Sequence, residues 1–230
     1  MLSELYGSRA GDILISQADW HPYPTVEDRD DWMGLREAVK KAHLQAGEAA
    51  LGFEWPALPA ALFLEYARMG NRSNYQNVRN VRRNTLRDLV VAECLEGEGR
   101  FLDDIANGIW TMCEETYWGV PAHIGVQKAG KGLPDAEEPT VDLFAAETLS
   151  LLAWTHYLLG DRLDSVSPLV RLRIVYEAQR RALTPCFERE DFGWMGFHGG
   201  SVTTGIRGFV QIGLRERFCL KKMRIDVWGQ

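Results

Sequence analysis

Apolar positions recur every three or four residues along most of the chain, as the buried face of an α-helix requires. In residues 100–116, for example, Phe101, Ile105 and Ile109 fall on one face. Between residues 32 and 187 the sequence lacks the strict alternation of apolar and polar residues that is typical of a half-buried strand. The pattern therefore predicts an all-α protein.

Prolines, glycines and short polar loops divide this pattern into helices. Pro59 suits the first turn of one helix, and Gly70 its end. Ser167 followed by Pro168 is a typical helix start. The predicted helices span residues 32–51, 59–69, 76–96, 100–116, 142–159 and 167–187. Because the loops within each pair are short, the helices should pack as antiparallel hairpins.

Three hairpins in series would place the loops that follow each hairpin at the same end of the array. These loops are residues 70–76, 116–140 and 188–200. The second and third are long and rich in aromatic residues, and each carries one His. Long loops on a rigid scaffold commonly hold binding sites. We therefore expect an aromatic, His-bearing face at one end of the array.

Two aromatic segments in these loops are candidates for carbohydrate binding. In TYWGVPAHIG, the ring of Trp118 could stack on a pyranose, while Tyr117 and His123 supply hydrogen bonds. In GWMGFHGG, Trp194 and His198 form a second set of this kind. The alternative for both is that the aromatic side chains simply cover the helix ends.

Two ionisable residues lie in the strongly apolar helix 142–159. An acid such as Glu147 needs a partner there or a raised pKa. We expect it to form structural hydrogen bonds, with substrate binding or an acid role as alternatives. His156 is expected to be a core histidine with satisfied hydrogen bonds.

A row of arginines follows the predicted helix 76–96. Its members are Arg79, Arg82, Arg83 and Arg87. We expect this row to face solvent, with Val78 and Val81 directed inward. The alternative is that the row attracts an anionic polymer.

Composition narrows the class of protein. The 230 residues carry a net charge of -6 and are 46% apolar, which excludes global disorder and argues against a general nucleic-acid binder. No apolar run reaches the ~18 residues of a membrane span, and the first twenty residues lack a signal-peptide pattern. The four cysteines form no CxxC pair, and the His and Cys spacings fit no zinc site. We expect a cytoplasmic protein with reduced, buried thiols and no metal or other cofactor, although a longer precursor would permit export.

Three motifs point to a known family. They are WGVPAH at 118–123, LPD at 133–135 followed by DLFAAET at 142–148, and WMG at 194–196. With the helices around them, residues 60–202 resemble the N-terminal toroid of heparinase II/III-like polysaccharide lyases. The resemblance implies an incomplete (α/α) toroid built from antiparallel helical hairpins.

The sequence departs from this family directly after Val202. The family continues close to VNNWNPWIxSNWL, whereas this chain has VTTGIRGFVQIGL. Codons that encode NNWNPWIRSNWL, read with the first base dropped, encode residues 203–214. We therefore expect that one base is missing from the gene or its sequencing, a hypothesis that the nucleotide sequence would test. The domains would be an N-terminal extension (1–31), a partial toroid (32–202) and a non-native, basic tail (203–230).

The resemblance implies β-elimination on a uronate-containing polysaccharide. A neutralising Asn, Arg or His, a base at C5 and a Tyr or His that protonates O4 are needed. The family's Asn would lie in the altered segment, so we assign no catalytic residue and expect the chain to be inactive alone. Uncovered helix faces would also favour self-association. The expected cleft wall consists of Tyr117, Trp118, His123, Glu147, Trp194 and His198.

Two other functions fit the same residues. A glycoside hydrolase on a helical toroid would need two carboxylates, such as Glu147 with Asp135 or Asp142. A non-catalytic helical-repeat module could instead bind a carbohydrate or protein through the aromatic loops.

Overall fold

The computed structural model describes residues 19–189 and 191–192, and most of these residues are helical. The part of the chain that it describes contains no strand, which confirms the all-α prediction. The α-helices are α1 (Arg29–Met33), α2 (Glu37–Ala50), α3 (Ala60–Met69), α4 (Ser73–Glu96), α5 (Leu102–Glu114), α6 (Leu143–Leu159), α7 (Pro168–Ala178) and α8 (Thr184–Glu188). Short 3₁₀ segments at Pro121–Val126 and Gly160–Ser165 and a π-helical turn at Gln179–Leu183 complete the described elements.

The helix predicted over residues 32–51 is in fact two helices, α1 and α2. Tertiary contacts orient α1. The Arg29 guanidinium donates to the carbonyls of Cys94 (2.6 Å) and Leu95 (2.5 Å) at the end of α4. The Trp32 indole donates to the Thr25 carbonyl at 2.7 Å. Because a helix leaves its last carbonyls without partners, Arg29 caps α4 with a side chain from a distant segment.

Helices α4 and α5 form the predicted antiparallel hairpin. The hairpin predicted from residues 32–51 and 59–69 is not found, because α2 packs mainly on α4. At one end, the buried Glu93 carboxylate accepts hydrogen bonds from the backbone N–H groups of Gly99 (2.8 Å) and Phe101 (3.2 Å) in the turn. At the other end, Glu115, directly after α5, pairs with Arg82 near the start of α4 at 2.9 Å. Carboxylates therefore fix both ends of the hairpin.

Equivalent helices of successive hairpins run parallel. Near the start of α4, Arg79 donates to the carbonyl of Phe144 near the start of α6 at 2.5 Å. Beyond the ends of the same helices, Arg162 donates to the Gly97 carbonyl at 3.0 Å. The second helices, α5 and α7, also pack on each other. This parallel relation is the arrangement that a repeat of hairpins produces.

The connection after α5 contacts the segments that follow the other predicted hairpins, although residues 190 and 193–200 lie outside the described residues. Tyr117, in this connection, packs with Tyr75 in the first turn of α4 and with Phe63 on α3. After α8, Arg189 donates to the Pro139 carbonyl of the same connection at 3.1 Å. The connection after α5 thus contacts both the start of α4 and the segment after α8.

The core confirms several finer predictions. Helix α6 is buried on most sides, with Ala145, Leu149 and Leu152 inside, and the Ser167 hydroxyl caps α7 as expected. Cys94 and Cys113 are buried free thiols, and burial raises the pKa of each to about 12. Among the described residues, no helix combines the length and apolar character needed to cross a membrane.

One face of α7 is exposed in the described part of the chain. Leu169 and Tyr176 on this face are largely exposed. Exposed apolar surface of this kind is typical of contact sites. Self-association through such a face therefore stays a prediction. The predicted domain boundaries also stay predictions, and the predicted tail, residues 203–230, lies outside the described residues.

The close approach of α2 to α4 gives a stability prediction. A Cβ atom on Gly47 would lie 2.2 Å from the Cβ of Ala92. Gly→Ala within a helix usually stabilises it by about 1 kcal/mol. We expect Gly47→Ala instead to lower the free energy of unfolding by about 1–3 kcal/mol, because the helices must separate. Urea denaturation measures the change.

The matched control removes the opposing methyl group. Ala92→Gly should restore space for Ala at position 47, so the double variant should be more stable than the two single effects predict. A neutral or stabilising Gly47→Ala, or additive effects in the double variant, would contradict the close packing of these helices.

Candidate functional site

The arginine row on α4 faces inward for most of its length. Arg79, Arg82 and Arg83 are buried, with Arg79 only 1% exposed, whereas Val81 is 46% exposed. The prediction that the row faces solvent is therefore wrong for these three residues. It is right for Arg87, whose side chain is 57% exposed.

Neighbouring elements supply the acceptors that make this burial possible. Glu115 accepts from Arg82 at 2.9 Å and from Arg83 at 2.6 Å. The Thr148 hydroxyl on α6 accepts from Arg79 and from Arg83, both at 2.9 Å. The network thus joins α4, the end of α5 and the start of α6, and each buried guanidinium has partners.

Positive charge exceeds negative charge in this network. Three guanidinium groups, those of Arg79, Arg82 and Arg83, surround the single carboxylate of Glu115. Burial, reinforced by the charge of Arg83, lowers the pKa of Arg79 to about 10, which leaves Arg79 cationic at neutral pH. Asp142 and Glu147 also act on Arg79, so the positive charge is concentrated on the α4 side rather than left in excess. A concentration of positive charge of this kind can still attract an anion.

An open cleft of about 410 Å³ lies above the network, between α4 and α6. Guanidinium and amide groups of α4 form one wall, and side chains of α6 form the other. The lining residues are Arg79, Asn80, Arg83, Asn84, Arg87, Phe144, Glu147 and Leu151. A concave surface with several convergent polar groups is typical of ligand sites.

Glu147 lines this cleft with a half-buried side chain. It forms no hydrogen bond or ion pair with the part of the chain that is described, so the predicted structural hydrogen bonds are not found. Burial raises the pKa of its carboxyl group, and Asp142 adds to the effect, while Arg79 and Arg83 oppose it. Its carboxyl group is thus open to a ligand.

His123 and Asp142 form a pair beside the cleft. The Nδ1 atom of His123 lies 2.8 Å from Asp142 Oδ2, and its ring contacts Phe144 at 5.5 Å between centroids. Asp142 also caps α6 by accepting from the Ala145 N–H at 2.7 Å. The carboxylate therefore orients the imidazole, which leaves Nε2 for another partner. Because these bonds occupy Asp142, it is poorly placed as a hydrolase carboxylate with Glu147.

Gly119 makes room for this pair. A Cβ atom at this position would lie 2.2 Å from the Tyr117 hydroxyl and 2.6 Å from Asp142 Oδ1. Any larger residue would displace one of these side chains. The glycine of WGVPAH thus has a steric reason for its position.

The aromatic platform predicted at Trp118 is not on the surface. Trp118 is 1% exposed, its indole N–H donates to the Met112 carbonyl at 2.8 Å, and Arg181 covers its ring. Tyr117 is also buried, and burial with the nearby Asp142 carboxylate raises the pKa of its hydroxyl well above the usual value. Neither ring is exposed for stacking on a sugar, because both pack at the helix ends, which is the alternative that the sequence left open.

Other predicted site residues do not join the cleft. His156 is a core residue as predicted, but its Nε2 has no hydrogen-bond partner within the described part of the chain, so the expected hydrogen bonds are not all found. Asp135 lies in the connection before α6, next to Thr116 and Tyr117. Trp194 and His198 lie outside the described residues. Within the described ranges, no group of His, Cys, Asp and Glu side chains could hold a metal ion.

The sequence contained a signal for the buried arginines. Arg79, Arg82 and Arg83 fall at helical spacing on the same face as Tyr75 and Leu86. Arginines that continue an apolar stripe are expected to be buried with partners. Their position on the stripe, rather than their charge, therefore predicts the burial that is found. Asp142, directly before the apolar helix, is likewise a typical N-cap.

No protein-family model matches this chain, and the comparison with curated proteins finds no significant match. The site is a cleft with guanidinium and amide groups on α4, a carboxyl group on α6 and a His–Asp pair at its edge.

Proposed function

We propose that this chain is a partial (α/α) toroid of the heparinase II/III-like lyase type, and that the cleft between α4 and α6 binds a uronate-containing polysaccharide. The parallel relation of α4 to α6, with Arg79 bonded to the start of α6, supports a hairpin array. The motif DLFAAET supplies Phe144 and Glu147 to the α6 wall of the cleft, and WGVPAH supplies His123 beside the Phe144 ring.

The concentration of arginines on the α4 wall of the cleft carries the proposal. Arg79 and Arg83 lie beneath it, and Arg87 stands at its edge with a largely exposed side chain. Asn80 and Asn84 add amide groups suited to sugar hydroxyls. A guanidinium recognises a carboxylate with two parallel hydrogen bonds, so a polymer with one carboxylate per sugar matches this wall.

We expect binding without turnover. Elimination needs a neutralised carboxylate, a base and an acid around one sugar. The cleft supplies cationic groups, whereas the Asn-containing segment of the family is replaced by residues 203–214 in this chain. Incubation with alginate should therefore produce no absorbance from an unsaturated uronate, and such absorbance would contradict this part of the proposal.

Binding is tested with an unsulfated alginate tetrasaccharide by calorimetry. Arg87→Ala should weaken binding about tenfold, because it removes a charged donor worth about 1.4 kcal/mol from the cleft edge. The fold should persist, since Arg87 bonds only to Asn84 and Asp88 among the described residues.

Arg100→Ala is the matched control, because Arg100 is a similarly exposed arginine that pairs with Glu48 and Glu96 away from the cleft. It should leave the affinity unchanged. Maltotetraose, which has no carboxylate, should not compete. Equal losses in both variants, or no saturable binding of the alginate tetrasaccharide, would overturn the proposed function.

A further inference from the structure

Glu147 is an unusual residue for a cleft that would bind a polyanion. Its carboxyl group shares the cleft with Arg79 and Arg83, yet it pairs with neither arginine. Those guanidinium groups are instead bonded to Thr148, Glu115 and backbone carbonyls. An acid that has no partner among the described residues, although it lies beside buried cations, is a candidate for a role in ligand binding.

A uronate in the cleft would bring a second carboxylate close to Glu147. Two carboxylates in contact do not both remain ionised, and they share one proton instead. Protonated Glu147 would be a hydrogen-bond donor, whereas ionised Glu147 would repel the ligand. The residue can therefore either exclude an anion or help to hold it, depending on one proton.

We infer that Glu147 is a specificity-determining residue that is protonated when the cleft is occupied, and that it donates a hydrogen bond from its carboxyl group to the uronate carboxylate. This inference rests on the proposed function and names the group that selects the ligand. Binding of a uronate is then coupled to the uptake of one proton by the complex. A neutral sugar would gain no comparable bond.

The charged groups around Glu147 favour this coupling. From α4, Arg79, Arg83 and Arg87 line the cleft. Arg83 is paired with Glu115, and Arg87 with Asp88. From the start of α6, Asp142 opposes ionisation of Glu147, in the same direction as burial. His123, across the Phe144 ring, is the remaining titratable neighbour. Before a ligand binds, Glu147 contributes the one carboxylate in the cleft lining.

The experiment measures calorimetric binding of the alginate tetrasaccharide to the full chain at about pH 5 and about pH 8. Wild-type affinity should be about tenfold higher at the lower pH. Measurements in buffers of different ionisation enthalpy should show about one proton taken up per ligand near neutral pH. Glu147→Gln keeps the shape and a donor without the charge, so it should bind about tenfold more tightly than wild type at pH 8 and lose this uptake.

Two matched variants isolate the contribution of Glu147. Glu54→Gln removes the same charge from an exposed site between α2 and α3 and should retain the wild-type uptake. His123→Gln removes the imidazole on the other side of the Phe144 ring and should also retain the wild-type uptake. Glu147→Gln should fold normally, since Glu147 forms no hydrogen bond within the described structure, and its melting temperature checks this.

Each outcome decides the inference. Wild-type uptake and pH dependence that persist in Glu147→Gln, or weaker binding of this variant at both pH values, would overturn the inference while leaving the proposed function in place. Loss of the uptake in His123→Gln alone would also overturn it. Failure of every variant to bind the tetrasaccharide would overturn the proposed function and the inference with it.

Discussion

Replacing Glu115 by Gln should lower the free energy of unfolding by about 3–5 kcal/mol, because it leaves the guanidinium groups of Arg82 and Arg83 buried without a counter-charge. The Glu115 side chain is only 3% exposed, so water cannot replace the lost charge. Gln has nearly the same shape, so the loss reports charge rather than packing. Urea denaturation at neutral pH measures it.

Glu114 provides the matched control for this substitution. It is the preceding residue and is exposed, and Glu114→Gln makes the same change of charge. It should alter the free energy of unfolding by less than about 0.5 kcal/mol. Similar small effects in both variants would mean that Glu115 does not balance the buried arginines.

The stability of the protein should fall between about pH 6.5 and about pH 4 through His156. Burial lowers the pKa of this histidine to about 4, whereas the unfolded chain has the ordinary value of 6.5. Between these values the unfolded chain binds the extra proton, so acid favours unfolding. The contribution of His156 is fully present above the unfolded pKa and is lost as the pH falls, in total about 3 kcal/mol.

The measurement compares unfolding free energies across this pH window. His156→Gln should flatten the pH dependence, because the titrating side chain is gone. His43→Gln, at an exposed position on α2, should retain the wild-type slope. Acids that titrate in the same window are common to all three proteins and cancel in the comparison. A slope unchanged by His156→Gln would contradict the low pKa of this residue.

Helices with a consistent apolar stripe and clear end signals were predictable. Ser167 and Pro168 define the start of α7, and the glycine at position 160 ends α6, because these effects act within one turn of the chain. The break between α1 and α2 follows Gly34, the C-terminal cap of α1, which is a local signal that the predicted helix passed over. The orientation of α1 was not predictable, because it depends on Arg29, which reaches carbonyls some 65 residues further along the chain.

The candidate site was predicted in part. The sequence named His123 and Glu147 as parts of one cleft wall. In the structure the His123 ring contacts Phe144 on α6, the helix that also carries Glu147. The aromatic residues were misassigned, since sequence alone does not distinguish an exposed Trp from one that covers a helix end, as Trp118 does. The partner of a buried arginine, here Glu115, lies on another element and is not visible in any local period.

The parallel relation of α4 to α6 limits how such a chain can change its length. Adding or deleting a complete hairpin does not change the direction of any later helix. The loops that follow the later hairpins therefore stay on the cleft side. Adding a single helix would invert all that follows and send those loops to the opposite side. Viable insertions and deletions of whole elements should therefore come in pairs of helices.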